Sequence, residues 1–344
     1  MKKQDRTLTG LKVGILYNSP VMPSKGEDVD YVADAEVEEE VEAVEDALER
    51  LDLEYQQFPL KENVENLVQA LKRYQPDVVV NLCEAAFGDS HLEMAVPSML
   101  ELLRVPYTGS PPLALGLCQN KGLTKAILRT NGIPTPDYQV LSRFEDWKVE
   151  IGYPLFVKPL SEDGSIGITK ESFIKNNVEL KKRVGYIIER YRQLALVEKY
   201  IDGRELNIAI LGDNKTQVLP ISEIVFKFSH EPKIVDYTAK WFKDSEEYKN
   251  TIPICPAKLE QPIKDLVEKQ AEQAYLALYC RDYARVDIRL DGEIPYVLEV
   301  NPNPDISPDG GFARSLKAAE IPYEEFIREI LCSALQRKAS LSAH

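Results

Sequence analysis

Two spacings of apolar residues alternate along the first third of the chain. Residues 12–17 form a short β-rich run, and residues 77–82 are almost wholly apolar, as in a parallel strand covered on both faces. Between these runs, apolar residues recur at helical spacing with carboxylates between them, which predicts an amphipathic helix with a solvated acidic face over 36–49. Its apolar positions are Val37, Val41, Val44, Leu48 and Leu51.

The same alternation continues to residue 110. We predict a second strand over 53–58, helices over 64–74 and 91–103, and a strand over 105–110. Strands that alternate with helices form parallel sheets whose faces are covered by those helices. The first third therefore predicts an open, doubly wound α/β sheet.

The rest of the chain mixes shorter strands with helices. A break is expected at Pro111-Pro112, and the helix over 120–131 should end at Gly132, just before two further prolines. The other predicted strands are 138–141, 155–158, 166–169, 195–200, 205–211, 217–221, 283–290 and 294–300, and the other predicted helices are 175–192, 258–279 and 323–337.

Length, charge and cysteine usage exclude several classes of protein. A chain of 344 residues exceeds one compact core, so we expect two or three domains. The net charge of −14 is opposite to the basic footprint of a nucleic-acid binder, and no apolar run approaches a membrane span. The five scattered cysteines include no Cys-x-x-Cys pair, which gives no support to a zinc site and suits a reducing compartment. With no export signal visible, we expect a cytoplasmic protein.

The strongest candidate chemistry lies on two predicted strands near the C-terminus. Because strand side chains alternate faces, Arg285 and Asp287 share one face, as do Glu299 and Asn301 on the other strand. If the strands pair, oxygen ligands that suit Mg²⁺ meet beside an arginine that can neutralise a transferring phosphoryl group. The alternative is an ordinary hairpin with a polar outer face.

A lysine and a small-residue loop form the second candidate site. Lys158 closes an apolar strand, and the loop over 161–167 can present backbone N–H groups and a hydroxyl to phosphate. The loop is neither a Walker A motif nor a Gly-x-Gly-x-x-Gly dinucleotide turn. The alternative is a glycine-rich hairpin with a surface lysine.

Two glutamates flank the predicted turn at Asp202-Gly203. Glu198 could accept a hydrogen bond from an adenine amino group, and Glu205 could accept from ribose hydroxyls. Taken alone, each would be interpreted as a solvated side chain.

In order and spacing, these motifs resemble the D-alanine–D-alanine ligase family of the ATP-grasp superfamily. The resemblance covers almost the whole chain and includes Pro106-Tyr107-Thr108-Gly109-Ser110, Asn120-Lys121-Gly122, Val157-Lys158-Pro159, Glu198-Lys199-Tyr200-Ile201, Asp236-Tyr237-Thr238-Ala239-Lys240-Trp241 and Cys255-Pro256-Ala257. It implies ATP contacts at Lys121, Lys158, Ser165, Glu198, Lys199, Ile201, Glu205 and Lys240, metal ligands at Asp287, Glu299 and Asn301, and catalytic roles for Arg285, Lys240 and Ser165.

The resemblance also implies an architecture and a reaction. A doubly wound domain over 1–118 would precede a two-lobed ATP-grasp fold, with a central lobe over 119–198 and a C-terminal lobe over 199–344. ATP and Mg²⁺ (or Mn²⁺) would serve as cofactors. A carboxylate would attack the γ-phosphate to give an acyl phosphate, which an amine would then displace. Family members make cell-wall peptidoglycan precursors from small molecules in the cytoplasm, and often form homodimers.

Three departures from the family pattern concern the substrate subsites. The usual Gly-Gly-x-Ser-x-Glu after the first strand is replaced by Asn18-Ser19-Pro20-Val21-Met22-Pro23, with Glu27 as the nearest glutamate. Trp241 stands where the family usually has tyrosine, so the phenol hydroxyl of the mobile loop is lost. Asp305 stands where a glycine N–H helps to bind the oxyanion, and the stretch over 307–315 also differs.

Several functions therefore stay open at the level of sequence. The first is D-alanine–D-alanine ligation, and the second is ligation of another amino acid, hydroxy acid or carboxylate. A non-catalytic ATP-binding protein and a kinase that stops at the acyl phosphate are further alternatives. A dehydrogenase is disfavoured because the glycine fingerprint is missing, and three histidines give little material for histidine-based catalysis.

Overall fold

The computed structural model describes most of the chain. No helix in this part is long and apolar enough to cross a membrane. The described residues are 8–21, 25–27, 37–61, 63–142, 148–213, 215–228 and 231–341, with side chains up to 337.

A three-stranded parallel sheet forms the core of the N-terminal domain. Strands β1 (Lys12–Asn18), β2 (Glu54–Leu60) and β3 (Val78–Asn81) lie in the order β2-β1-β3. Helices α1 (Val37–Arg50) and α2 (Val64–Tyr74) connect them, as their periodicity predicts. The doubly wound α/β sheet is thus confirmed. The first residue of the predicted acidic helix, residue 36, and the end of the segment after the first strand, residues 22–23, lie outside the described residues.

The end of this domain differs from the sequence prediction. The strand expected over 105–110 is reduced to one parallel bridge between Tyr107 and Val79, since Pro106 has no N–H to extend a ladder. The helix expected over 91–103 is split into a 3₁₀ turn, Ser90–Leu92, and α3, Ala95–Leu102. The expected break at Pro111-Pro112 is instead the start of helix α4 (Pro112–Gln119), because proline suits the first position of a helix.

The central lobe carries an antiparallel sheet in the order β4-β7-β5-β6. The strand predicted over 166–169 is wrong, because Ser165 and Gly167 both adopt positive φ angles of 62° and 72°, which turn the chain instead. The predicted helix over 175–192 ends as a short π-helical segment. The elements are α5 (Lys121–Thr130), β4 (Tyr138–Leu141), β5 (Leu155–Pro159), β6 (Phe173–Ile174), α6 (Asn177–Tyr186) and β7 (Ala195–Lys199).

The C-terminal lobe is built on a larger antiparallel sheet. Its order is β11-β10-β8-β12-β13, and β9 pairs with β8. The sequence predicted a single strand over 217–221, but the chain breaks this region into β9 and β10 because Pro220 interrupts the ladder. The strands are β8 (Arg204–Leu211), β9 (Gln217–Val218), β10 (Ser222–Phe226), β11 (Thr251–Ile254), β12 (Tyr283–Asp291) and β13 (Ile294–Asn301).

The last helix ties the two ends of the chain together. Phe326 and Ile330 of this helix share one buried cluster with Val44 and Leu48 of α1. The C-terminal lobe and the N-terminal sheet therefore pack against a common core, which fixes the walls of the space between them. The helices of this lobe are α7 (Tyr237–Trp241), α8 (Glu246–Lys249), α9 (Gln261–Ala277), α10 (Gly311–Ala318) and α11 (Tyr323–Leu341).

Candidate active site

Two cavities meet between the lobes. The larger, of about 620 Å³, lies between the central and C-terminal sheets and has the size expected for a nucleotide-sized ligand. The smaller, of about 120 Å³, lies on the side of the N-terminal domain. Lys240, Arg285 and Glu299 line both cavities, so a group in one cavity can reach a group in the other at this junction.

The predicted pairing of the two C-terminal strands is confirmed by their register. Arg285 lies opposite Asn301, and Asp287 lies opposite Glu299. The Arg285 guanidinium donates two hydrogen bonds to Asp287, at 2.8 and 2.9 Å. Although burial opposes the charge, Asp287 raises the pKa of Arg285 above its usual value. Arg285 is thus a fixed cation at the junction of the cavities.

A chain of alternating charges crosses from the central lobe to the C-terminal lobe. Lys125 Nζ lies 2.7 Å from one Glu198 oxygen, and Lys158 Nζ lies 3.4 Å from the other. Lys158 also contacts Glu299 Oε2 at 3.1 Å across the cleft. Lys125, Glu198 and Lys158 are buried and Glu299 is half-buried, and each charge is compensated by its neighbour.

The pKa values of these groups follow from that arrangement. Burial opposes the charge of Glu299, but Lys158 and Lys121 outweigh it and lower its pKa to about 2. Burial likewise opposes the charge of Glu198, and Lys125 with Lys158 holds its pKa below the usual range. Both carboxylates are therefore ionised at neutral pH, and Lys158 is held in its charged form.

Both oxygens of Glu198 face lysines. The hinge, by which we mean residues 199–201 just after Glu198, lines the large cavity. Lys199 turns its ammonium away, donating to the carbonyls of Gly152 and Tyr153 at 3.0 and 2.8 Å. The hinge can thus offer its backbone and Ile201 to a ligand, whereas the carboxylate of Glu198 orders the lysines.

Lys121 is buried at the start of α5. Its ammonium donates to the Glu162 carbonyl at 2.6 Å and to Asp163 Oδ1 at 2.7 Å. The two hydrogen bonds hold the small-residue loop against the helix. Ser165 of this loop donates its hydroxyl hydrogen to the Val235 carbonyl at 2.9 Å.

The loop that carries Lys240 contacts the small-residue loop over 161–167. Trp241 Nε1 donates to the Gly164 carbonyl at 2.9 Å, and the Lys240 ammonium lies 4.5 Å from the Trp241 ring centre. The indole N–H therefore ties the loop of Lys240 to the small-residue loop over 161–167.

Glu205, which lines the large cavity, is paired with Arg289. The Arg289 guanidinium contacts Glu205 Oε2 at 2.6 Å and donates to the Gly203 carbonyl at 3.0 Å. Burial is the larger effect on Glu205, and it raises the pKa of its carboxyl despite Arg289.

The donor set at the junction fits a hard divalent cation. Asp287, Glu299 and Asn301 offer two carboxylates and an amide oxygen on paired strands. Mg²⁺ commonly takes one or two carboxylates and fills its other positions with water and phosphate oxygens. Among the described residues, no three His, Cys, Asp or Glu side chains form a metal-binding group by themselves. The set therefore suits a cation whose remaining coordination positions are filled by the oxygens of a bound phosphate.

Two participating residues, Lys125 and Asn207, were missed at the level of sequence, whereas strand alternation already placed Arg289 on the face of Arg285 and Asp287 without giving it a role. Lys125 lies one helical turn after Lys121, so helical spacing could have indicated it. Asn207 donates to Asp287 Oδ1 at 2.7 Å from the neighbouring strand β8. Its role depends on strand pairing, which no local pattern reveals.

Comparison with known proteins places the chain in a family. The family model described as the D-ala D-ala ligase C-terminus matches residues 127–332. The D-alanine–D-alanine ligase of Carboxydothermus hydrogenoformans is 33% identical over 79% of this chain and 85% of that protein. An uncharacterised protein of Sinorhizobium fredii is 35% identical over 81% of this chain and 83% of its own length.

A solved structure supports the same assignment over nearly the full length. The crystal structure of D-alanine–D-alanine ligase from Bacillus anthracis complexed with ATP has a TM-score of 0.74 and 26% identity. The match covers 96% of this chain and 99% of that one, which confirms the predicted ATP-grasp fold. The chain belongs to the D-alanine–D-alanine ligase family and is an ATP-dependent ligase.

Proposed function

We propose that this ligase joins a carboxylate to an amine through an acyl phosphate formed where the two cavities meet. The observation that carries the proposal is that Lys240, Arg285 and Glu299 line both cavities. The γ-phosphate of ATP in the larger cavity would there meet a carboxylate held in the smaller one. Holding the reactants together supplies much of the rate, so no nucleophilic side chain is needed.

The nucleotide would be held by the cleft between the central and C-terminal lobes. Lys158 would bind phosphate oxygens, with Glu198 and Lys125 keeping its ammonium in place. Glu205, oriented by Arg289, would accept from the ribose hydroxyls. The other proposed nucleotide contacts are Lys121, Ser165, Lys199, Ile201 and Lys240.

Asp287, Glu299 and Asn301 are the proposed ligands of Mg²⁺ or Mn²⁺. The bound cation would neutralise charge on the phosphates. Asn207 and Arg285 would hold the Asp287 carboxylate in place through their hydrogen bonds. The Lys158 ammonium would leave the Glu299 carboxylate when it binds a phosphate oxygen, and Glu299 would then be available to the cation.

The proposed reaction proceeds in two balanced steps. A carboxylate oxygen of the first substrate attacks the γ-phosphorus, and ADP leaves. The amine of the second substrate then attacks the acyl carbon, loses a proton, and expels phosphate. Arg285 would stabilise negative charge in both steps, and Lys240 with Ser165 would close the loops over the reacting groups.

The substrates of the relatives suggest where to begin. The named relatives are D-alanine–D-alanine ligases, so D-alanine is the first candidate for both positions. A different amino acid, hydroxy acid or carboxylate is the second candidate, because Trp241 and Asp305 alter the walls of the smaller cavity.

We also propose a cytoplasmic, homodimeric enzyme of peptidoglycan synthesis, with domains over 1–118, 119–198 and 199–344.

Phosphate release from ATP and Mg²⁺ tests the proposal. The panel contains D- and L-amino acids and hydroxy acids, with products identified by mass spectrometry. Release that depends on an acid and an amine, and that yields their amide, supports the ligase. Release with an acid alone, trapped by hydroxylamine, would instead indicate a kinase that stops at the acyl phosphate. No release with any pair would contradict the proposal.

A further inference from the structure

The proposed reaction requires a base for the attacking amine. The amine of an amino acid is protonated near neutral pH, and its nitrogen has no lone pair for the acyl carbon until a proton has left. At the junction of the two cavities, Lys240 and Arg285 are cations. Glu299 is a proposed metal ligand and is paired with Lys158 at 3.1 Å. A second carboxylate lies at the same junction, because Asp305 also lines both cavities.

The chain around Asp305 holds its carboxylate in one position. The Ser307 N–H donates to Asp305 Oδ1 at 2.7 Å. The other oxygen, Oδ2, lies close to Gly310, where a Cβ atom would be only 2.7 Å away from it. A side chain at position 310 would therefore push the carboxylate aside, and glycine permits the close approach. The carboxylate is thus fixed in the wall where the two cavities meet.

A buried glutamic acid of helix α1 supports this carboxylate. Glu40 is 5% exposed and accepts the Ile306 N–H at 2.7 Å. Its side chain also hydrogen-bonds Asp305, and a hydrogen bond between two carboxyl groups requires one proton. Burial, followed by the charges of Glu84 and Asp305, raises the pKa of Glu40 well above its ordinary value, so Glu40 holds that proton and donates it. Asp305 is then the ionised member of the pair.

Two arginines and a tyrosine from other elements surround the same carboxylate. The charge of Asp305 acts on Arg285 of β12 and on Arg314 of α10. It also acts on Tyr323 at the start of α11, where burial raises the pKa of the hydroxyl well above its ordinary value. Because like charges disfavour each other, an ammonium brought close to these two arginines loses its proton more readily.

We propose that Asp305 is the general base that takes a proton from the attacking amine, and that Glu40 is the residue that positions it. This inference rests on the proposed function, since it assigns the amine of the second substrate to the junction of the cavities. The Asp305 carboxylate contacts the ammonium and accepts one of its protons. The nitrogen lone pair then forms the C–N bond. As the bond from the acyl carbon to the phosphate oxygen breaks, a second proton passes from nitrogen to the departing phosphate. The products are the amide and hydrogen phosphate, and Asp305 returns its proton to water.

Two half-reactions separate the base from the rest of the site. The test uses the full chain with ATP, Mg²⁺ and an acid and amine that the phosphate-release panel shows to be joined. Hydroxylamine in place of the amine traps the acyl phosphate without a base, because its nitrogen is unprotonated at neutral pH. In Asp305→Asn we expect hydroxamate formation within about two-fold of the wild type, but a fall of about 10²-fold or more in kcat for the amide.

Two further readouts distinguish a base from a residue that only binds the ammonium. Without the carboxylate, the amine must lose its proton to water, so kcat of Asp305→Asn should rise about ten-fold per pH unit between about pH 7 and 9, a slope that the wild type should not show. An aminooxy acid of the same length as the amine substrate has an unprotonated nitrogen at neutral pH. The variant should join it nearly as fast as the wild type does.

Three variants test the position of the base. Gly310→Ala should displace the Asp305 carboxylate and slow amide formation about ten-fold or more, with hydroxamate formation retained. Glu40→Gln keeps a hydrogen-bond donor for Asp305, so kcat for the amide should stay within about ten-fold of the wild type. Glu42→Gln is the matched control, because Glu42 lies on the exposed face of α1, and it should match the wild type in both half-reactions. Circular dichroism and the affinity for ATP verify that each variant is folded.

Each outcome decides the proposal. An unchanged amide rate in Asp305→Asn, a loss confined to the KM for the amine, or an equal loss of hydroxamate and amide formation overturns it, while the proposed function stands. If Asp305→Asn does not fold, Gly310→Ala decides by the same two rates. If the wild type forms no amide from any acid and amine in the panel, the proposed function itself fails, and the inference fails with it.

Discussion

The two cavities differ in how their charges are balanced. In the larger one, lysines and glutamates alternate across the lobes, so Lys125, Glu198, Lys158 and Glu299 compensate one another. In the smaller one, seven carboxylates and three cations line the wall among the described residues, and burial raises the pKa values of Glu40 and Glu93. The difference indicates that ion pairs within the protein hold the charges of the larger cavity in place, whereas burial favours the protonated form of two carboxyls in the smaller one.

Breaking the charged chain of the larger cavity should have the largest effect. Lys158→Ala or Glu299→Gln should lower kcat/KM by about 10³-fold or more, because each removes a group aimed at the phosphates or their metal. Phosphate release measures the loss. The control Lys181→Ala changes an exposed lysine of α6 and should leave turnover unaltered. Normal turnover in either variant, or an unfolded protein by circular dichroism, would refute the site assignment.

A smaller loss is expected from Lys125→Met, which removes a charge without touching the ligand. Glu198 would then draw the Lys158 ammonium more strongly, so we expect kcat to fall about ten- to a hundred-fold. Steady-state kinetics with varied ATP separate kcat from KM. Rescue by Lys125→Arg, with its charge retained, would support a positioning role. A variant that matches the wild type would show that Lys158 needs no such support.

The closure of the two loops can be loosened with Trp241→Phe. The change keeps the aromatic ring beneath Lys240 but removes the N–H that donates to Gly164. We expect the KM for the carboxylate substrate to rise several-fold, with little change in the affinity for ATP. Since the chain has only two tryptophans, a Trp147→Phe background makes Trp241 fluorescence a reporter of closure. An emission that is unaltered by ATP and Mg²⁺ would contradict this arrangement.

The smallest expected effect concerns the stability of the carboxylate-rich cavity. The pKa of Glu93 is raised in the folded state by burial and by the charges of Asp163 and Glu84, against a smaller opposing effect of Lys121. The folded protein therefore binds the Glu93 proton more tightly than the unfolded chain does, and this contribution to stability is lost as pH rises above about 4.3, the ordinary glutamate value.

Glu93→Gln removes that dependence. We expect its Tm to match the wild type near pH 4 and to exceed it by about 2–4 °C at pH 8. Scanning calorimetry across this range provides the measurement, with Glu42→Gln as control. A variant that is less stable than the wild type at pH 8 would mean that Glu93 is stabilised as a carboxylate.

Local sequence patterns predicted a helix or strand correctly where the residues of that segment alone determine its structure. The helix over 64–74 and the strand over 138–141 were predicted to the residue. Arg285 and Asp287 were assigned to one strand face by alternation alone. Two predicted strands were wrong because a turn or a proline intervenes. At 166–169, positive φ angles at Ser165 and Gly167 turn the chain, and at 105–110 the pairing with β3 is limited to a single bridge at Tyr107.

The sequence by itself determined the family and most of the order of the strands and helices, because these depend on periodicity and on short motifs. Only the tertiary structure decided which charges are compensated. Glu40 and Asp305 are far apart in the chain, and they meet because Val41 of α1 and Ile306 after β13 share one core. Burial and electrostatic neighbours arise from that packing, so the charge balance of the smaller cavity is a property of the fold.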